Sequence, residues 1–192
     1  MSKAVLISIR PKWCEKIASG EKAIEVRKTR PKLETPFKCY IYCTKDKNNH
    51  FWTGKRYSYA DDHSHNAFDK IGSGKIIGEF ICGRIDEYDD DTIFSFRHED
   101  YARWNDFGLD RACMHPEDFQ NYADGKWLYG WRISDLKIYD TPKELTEFHA
   151  WEKCKSCSKS GYESTACIYD KNCMVPVAIT KAPQSWRYVE ED

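Results

Sequence analysis

Residues 10–32 concentrate the groups that can do chemistry. Eight basic side chains (Arg10, Lys12, Lys16, Lys22, Arg27, Lys28, Arg30 and Lys32) stand against three acids (Glu15, Glu21 and Glu25). That is a local excess of five positive charges in a chain whose formal net charge is -1. Trp13 lies among them. Clustered cations around an aromatic ring suit a phosphate backbone with a stacked base; the same composition also suits a solvated helix face and an edge strand. Glu25 and Arg27 are two residues apart, so on a strand they share one face. In a cleft they would form a polar floor. The carboxylate would accept a hydrogen bond from a base edge or take a proton, and the guanidinium would grip a phosphate with two bonds. On an open surface they would be an ion pair worth little.

The second chemical signal is Cys154-x2-Cys157-x9-Cys167-x5-Cys173. A CxxC turn presents two thiolates to one metal, and a second pair within about twenty residues can complete a tetrahedral zinc site. The polar stretch between the pairs has little to bury, so a metal cross-link would supply its folding energy. Free thiols, disulfides or an iron–sulfur cluster are the other readings. Four thiolates leave no open coordination position, so the zinc would be structural, and no organic cofactor is expected. Cys39 and Cys43 share a strand face and read as core, as do Cys14, Cys82 and Cys113.

These groups must be positioned by a fold that the pattern outlines. Residues 4–9 read as a buried strand, and Pro11 opens a helix that ends at Gly20. Residues 22–28 alternate, with Ile24 and Val26 on one face and Glu25 and Arg27 on the other. Further strands are expected over 38–43, 75–88 (bulged at Gly78 or Gly83), 127–139 (bent at Ser134-Asp135) and twice within 176–189. Short helices are expected over 98–107 and 115–123, with a weak helical pattern over 141–151. The acidic run Asp86–Asp91 reads as a solvated turn. Strands outnumber helices and are not interleaved with long ones, which favours a small mixed or antiparallel β-barrel with flanking helices in the α+β class. One domain over 1–192 is expected, with a long surface loop at 44–73 and a cysteine-rich insert at 152–175.

Composition sets outer bounds. With 41% hydrophobic and 15% aromatic residues the chain can bury a core. A net charge of -1 excludes a globally basic nucleic-acid coat. No stretch approaches the roughly 18–20 apolar residues of a membrane span, and no secretory leader is legible. A cytoplasmic protein without a membrane partner is the expectation. Neither a phosphate-binding P-loop, nor a dinucleotide fingerprint, nor a nucleophile elbow is present.

Gly20-Glu21-Lys22-Ala23-Ile24-Glu25-Val26-Arg27 resembles the GxKxxExR signature of ASCH domains, the activating-signal-cointegrator homology family. Ser8-Ile9-Arg10-Pro11-Lys12-Trp13, the run Glu25 to Pro31, Tyr129 to Leu136 and Ala182 to Val189 are similar to its longer phage and prophage branch. The resemblance implies a PUA-like fold, a partly open barrel with helices beside a cleft, and binding of RNA or modified nucleosides. In that picture Lys22 and Arg27 hold phosphate, Glu25 accepts from a base or ribose, and Trp13 stacks or packs behind the cleft. Arg10, Lys12 and Arg30 add charge, while Gln184 and Trp186 stand at the rim, unless Trp186 is core. Some relatives deacylate N-acylated cytidine with a lysine, a threonine three residues later and a later glutamate; others are ribonucleases. Lys22 matches that lysine, but Glu25 stands where the threonine would be, and a carboxylate cannot replace an activated hydroxyl without a changed mechanism. A binding module is therefore expected ahead of an enzyme using Lys22 and Glu25. The third reading is a regulator whose basic patch meets an acidic protein surface.

Overall fold

In β1 (Lys3–Ile9) every residue after Lys3 is buried, because both faces of the strand are covered. Val5, Ile7 and Ile9 point into one core cluster, with Cys39, Ile41, Phe80, Cys82 and Trp131. Ala4 and Leu6 point into another, with Tyr40, Phe148 and Val189. A strand buried on both faces reads as a continuous apolar run, and AVLISI does so. The computed structural model describes residues 3–46, 72–95, 104–105, 107–154 and 173–190. Most of the 44–73 loop, of the 98–107 helix and of the 152–175 insert therefore lies outside the described residues, including Cys157, Cys167 and Glu99.

The fold is α+β and strand-dominated. Helix α1 (Pro11–Ala18) is followed by β2 (Ile24–Arg27), β3 (Phe37–Cys43) and β4 (Ile76–Tyr88). Helices α2 (Asp90–Ser95) and α3 (Pro116–Ala123) precede the long β5 (Leu128–Lys143), and β6 (His149–Lys153), β7 (Met174–Ala178) and β8 (Trp186–Glu190) complete the chain. Six strands form one sheet in the order β2-β5-β4-β3-β1-β8, and β6 and β7 pair separately. Only β1 and β3 run parallel in the six-stranded sheet; the other pairs are antiparallel.

Among the described residues the sheet is not hydrogen-bonded into a closed barrel, but it must curl. In a flat sheet β2 and β1, four places apart, would be separated by about 19 Å. Instead Arg27 Nη2 on β2 donates to the carbonyl of Ser8 on β1 at 2.5 Å, and Trp186 Nε1 on edge strand β8 donates to Thr29 Oγ1 at 3.0 Å. Bulges supply the bending: the β4–β5 register shifts between Ile76 and Gly78 and again between Cys82 and Ile85, and Asp135 has φ +47°. Helices α2 and α3 cover the other face of β2 and β5, where Ile24, Val26, Tyr88, Phe119 and Leu128 form a third cluster.

Three local expectations change. The 141–151 segment is not helical: β5 runs on to Lys143, a short 3-10 turn covers Leu145–Glu147, and β6 follows. Cross-strand pairing supplies hydrogen bonds that a Pro-containing helix could not. The acidic run is not a solvated turn. Asp86 is still in β4, held by Arg132 at 2.6 Å and Arg84 at 2.7 Å, and Asp90 opens α2. Cys113 is only half-buried, at a left-handed φ of +56°.

Candidate functional site

Local chain geometry delivers the signature residues. Pro11 starts α1, with the Trp13 and Cys14 amides donating to the carbonyl of Arg10 at 2.9 and 3.0 Å. After α1, Gly20 takes φ +78°, a conformation that favours glycine. This reverses the chain, so that the Lys22 amide returns to the carbonyl of Lys16 at 2.8 Å. The Ala23 amide then donates to Arg111 O at 2.9 Å and its carbonyl accepts from Ile133 at 3.0 Å. Lys22 is thus wedged between α1 and the 3-10 turn Leu109–Ala112. Its ammonium donates to Ala112 O at 2.6 Å and lies 5.0 Å from the centroid of the Trp13 ring.

Glu25 pairs across the ladder with Trp131, which is fully buried, so its carboxylate faces the inside of the curled sheet. There it joins two cations: Arg27 Nη2 at 2.9 Å and Lys22 Nζ at 3.5 Å. Lys22 and Glu25 are 3% and 5% exposed. The Glu25–Arg27 pair is therefore an interior one, and the surface alternative is corrected by the curl of the sheet. Burial pushes the Lys22 amine below its ordinary pKa, and the Glu25 carboxylate opposes that shift. Arg27 Nε is buried and has no hydrogen-bond partner among the described residues. An unpaired buried donor costs about 1–3 kcal/mol, and such departures from full pairing concentrate at functional sites.

The remaining sequence candidates distribute around this triad. Arg10 and Lys12 are exposed at the start of α1, and Lys12 Nζ lies 4.4 Å from the Trp13 centroid. Trp13 is half-buried. Trp186 is half-buried as well, packed on Trp131 at 6.1 Å and Tyr188 at 5.4 Å between centroids. Gln184 is exposed, in a loop tied to β1 by two bonds: Ser8 Oγ donates to Pro183 O at 2.6 Å and the Ser8 amide to Ser185 O at 2.9 Å. Arg30 does not join the triad; it reaches Glu87 at 3.3 Å. Cys154 and Cys173 are brought together, the Cys154 amide donating to Cys173 O at 3.0 Å at the end of the β6–β7 ladder.

Sequence reasoning missed Ser8, Cys113 and Tyr122. Tyr122 on α3 is half-buried, has its phenol pKa raised by burial, and lies close enough to Arg27, Glu25 and Arg10 to feel their charges. Lys28 Nζ sits 5.2 Å from its ring centroid. Cys113 Sγ is 3.8 Å from Glu21, which also pairs with Lys16. Nothing local marks these residues, since each meets the site only through contacts distant in sequence.

No family model matches the sequence. No curated protein matches it either. Solved structures do match. The ASCH protein of Zymomonas mobilis aligns at 16% identity with a TM-score of 0.52, covering 98% of this chain and 88% of that one. Two single-residue variants of the same protein align at TM-scores of 0.53 and 0.54, with 16% and 14% identity, covering 99% and 98% of this chain and 92% and 89% of theirs. At that identity the likeness concerns architecture alone: this chain shares the overall fold of those structures.

Proposed function

We propose that the chain is a nucleic-acid binding module, taking RNA or a modified nucleoside in the cleft above Lys22, Glu25 and Arg27. The observation that carries this reading is the buried triad itself. Two cations share one carboxylate inside the sheet, an Arg27 donor lacks a partner among the described residues, and the Trp13 ring lies beside both Lys22 and the exposed Lys12. Cations beside an aromatic ring are chemically matched to phosphate and base. In this reading Arg27 and Lys22 attract phosphate, Glu25 accepts from a base or ribose, and Gln184 and Trp186 form the rim. The resemblance further supports a phage or prophage setting, and a cytoplasmic location is part of the same proposal. Among the described residues no helix is long and apolar enough to cross a membrane. The test is binding of short RNAs and acetylated nucleosides at 50 and 200 mM salt, with Arg10→Ala/Lys12→Ala and Lys22→Met. Salt-dependent affinity lost in these variants is expected; no binding across the panel would sink the reading and leave an acidic protein partner in front.

Turnover at the same cleft is the second reading, favoured by one observation: a desolvated lysine of lowered pKa, 3.5 Å from a carboxylate. An amine tuned this way suits proton transfer. Mass spectrometry of ligands after incubation decides it, since altered products abolished by Lys22→Met would promote the enzyme. We propose separately that Cys154, Cys157, Cys167 and Cys173 hold a structural zinc. The support is the meeting of Cys154 and Cys173 and the CxxC spacing of the sequence between them.

A further inference from the structure

The basic cluster of residues 10–32 divides in space. Lys22 and Arg27 turn into the sheet, whereas Arg30 and Lys32 line a cavity of about 820 Å³ whose lining contains none of the triad. Its walls are the 30–35 segment and, from β4, Arg84 and Ile85. That volume falls in the range of ligand sites, roughly 300–1,000 Å³. Three cationic side chains border it. Arg30 and Arg84 have side chains 51% and 68% exposed, and Lys32 is exposed with no ion pair among the described residues. Arg30 lies 3.3 Å from Glu87 and Arg84 lies 2.7 Å from Asp86. The Arg30–Glu87 pair is exposed on both sides and weak, and Asp86, whose side chain is 19% exposed, keeps Arg132 at 2.6 Å if Arg84 turns away. Glu34 is the acid within the lining.

The cavity is joined to the triad by the chain between them. Thr29 accepts from Trp186, and the Lys32 amide donates to Tyr188 Oη at 2.7 Å. The Trp186 and Tyr188 rings, edge to face at 5.4 Å, flank that stretch. From Arg27 to Lys32 an extended chain spans at most about 17 Å. Cations on either side of an aromatic pair are the pattern of a groove that tracks a single strand. A base placed against Trp13 must also leave its stack, which an unpaired strand allows at least cost.

We propose that this cavity is a second subsite, for the phosphodiester backbone of a single-stranded nucleic acid whose base occupies the triad cleft. The proposal rests on the binding function above and makes the ligand an oligonucleotide instead of an isolated nucleoside. Arg30, Lys32 and Arg84 hold the phosphates, and Trp186 and Tyr188 form the ridge between the two sites.

Fluorescence anisotropy with labelled RNA and DNA single strands of about six nucleotides tests it, at the lower end of known groove sizes. A mononucleotide and a poly-glutamate peptide serve as competitors. Lys32→Ala/Arg84→Ala removes the cavity charges, and Arg10→Ala/Lys12→Ala those at the cleft mouth; thermal melts confirm that these surface variants fold. For whichever strand binds tighter, the cavity variant is expected to bind roughly tenfold more weakly. Its salt slope should fall by about 1.4, some 0.7 for each lost phosphate contact. Displacement of a cleft-bound mononucleotide should be unchanged. Wild-type affinity and slope in the cavity variant, with loss in the cleft-mouth variant, would overturn the subsite and leave the binding function standing. Wild-type protein that binds no nucleic acid would overturn both. Displacement of the strand by poly-glutamate as readily as by unlabelled strand would assign the surface to an acidic protein and overturn the proposal.

Discussion

Glu25→Gln removes one charge and keeps the volume, and its cost follows from the burial of its neighbours. The side chains of Lys22, Glu25 and Arg27 are 2%, 7% and 12% exposed, so loss of the carboxylate leaves two largely buried cations without their counter-charge. Breaking a buried ion pair on one side typically costs about 3–5 kcal/mol. Here Lys22 retains Ala112 O, Arg27 retains Ser8 O, and glutamine keeps an acceptor oxygen, which places the cost near 3 kcal/mol. For a chain of this size that is a melting decrease of roughly 6–12 °C. The pH dependence is more telling. Because burial lowers the folded-state pKa of Lys22, the unfolded chain binds more protons between that pKa and the ordinary lysine value of 10.5, and stability rises with pH across the window. Removing Glu25 takes away the influence that raises the Lys22 pKa, so the window widens downward. The deficit of Glu25→Gln should therefore be largest near neutrality and shrink as pH approaches 10.5. Urea unfolding at about pH 7 and about pH 9.5 measures it, with Lys22→Met/Glu25→Gln closing a double-mutant cycle. The double variant should regain much of the loss. A pH-independent deficit together with additive single effects would refute the idea that Lys22 carries the uncompensated charge.

Trp186→Leu loses the bond to Thr29 and two ring contacts, so about 2 kcal/mol of stability should go; an unchanged urea midpoint would remove Trp186 from the set of contacts that draw β8 toward β2. A Cβ at Gly78 would meet Lys137 O at 2.4 Å and Ile138 Cα at 3.1 Å, whereas at Gly83 it would meet only Ser134 Oγ at 3.6 Å. Gly78→Ala should accordingly cost about 1–3 kcal/mol and Gly83→Ala much less, and equal melting points would contradict the packing at the first bulge. Metal analysis of protein purified without chelator should find about one zinc per chain, lost in Cys154→Ser and Cys173→Ser; metal-free protein whose thiols all titrate in the native state would dismiss the cluster.

What was legible in the sequence was local. Alternation placed Ile24 and Val26 opposite Glu25 and Arg27, Pro11 and Gly20 bounded α1, and the bulge expected at Gly78 or Gly83 has register shifts at both. The face that would be wet was not legible. β2 reads as amphipathic, yet its polar side turns inward, because sheet curvature arises from bulges in β4 and β5 and from contacts made by β8. For the same reason Ser8 and Tyr122 escaped notice: the first is an ordinary strand residue until Pro183 and Arg27 reach it, and the second lies on a helix that meets the triad from elsewhere in the chain. Asp86 was misread because an acidic run carries no sign of its partner, Arg132, which stands forty-six residues away.

The triad also bears on the departure from the deacylase pattern at position 25. A threonine there would serve as a nucleophile only if Lys22 and Arg27 tolerated the loss of their shared carboxylate. In this chain both cations are buried and both lie against Glu25, at 3.5 and 2.9 Å. Glu25→Thr would leave the same two uncompensated charges as Glu25→Gln and would shorten the side chain too, adding a cavity to the electrostatic loss. It is therefore expected to destabilise the fold by more than Glu25→Gln does, and to confer no deacylation of N-acylated cytidine. A stable Glu25→Thr variant that turned over such a nucleoside would show that the carboxylate is dispensable, and with it the account of the cleft as a charge-matched binding site.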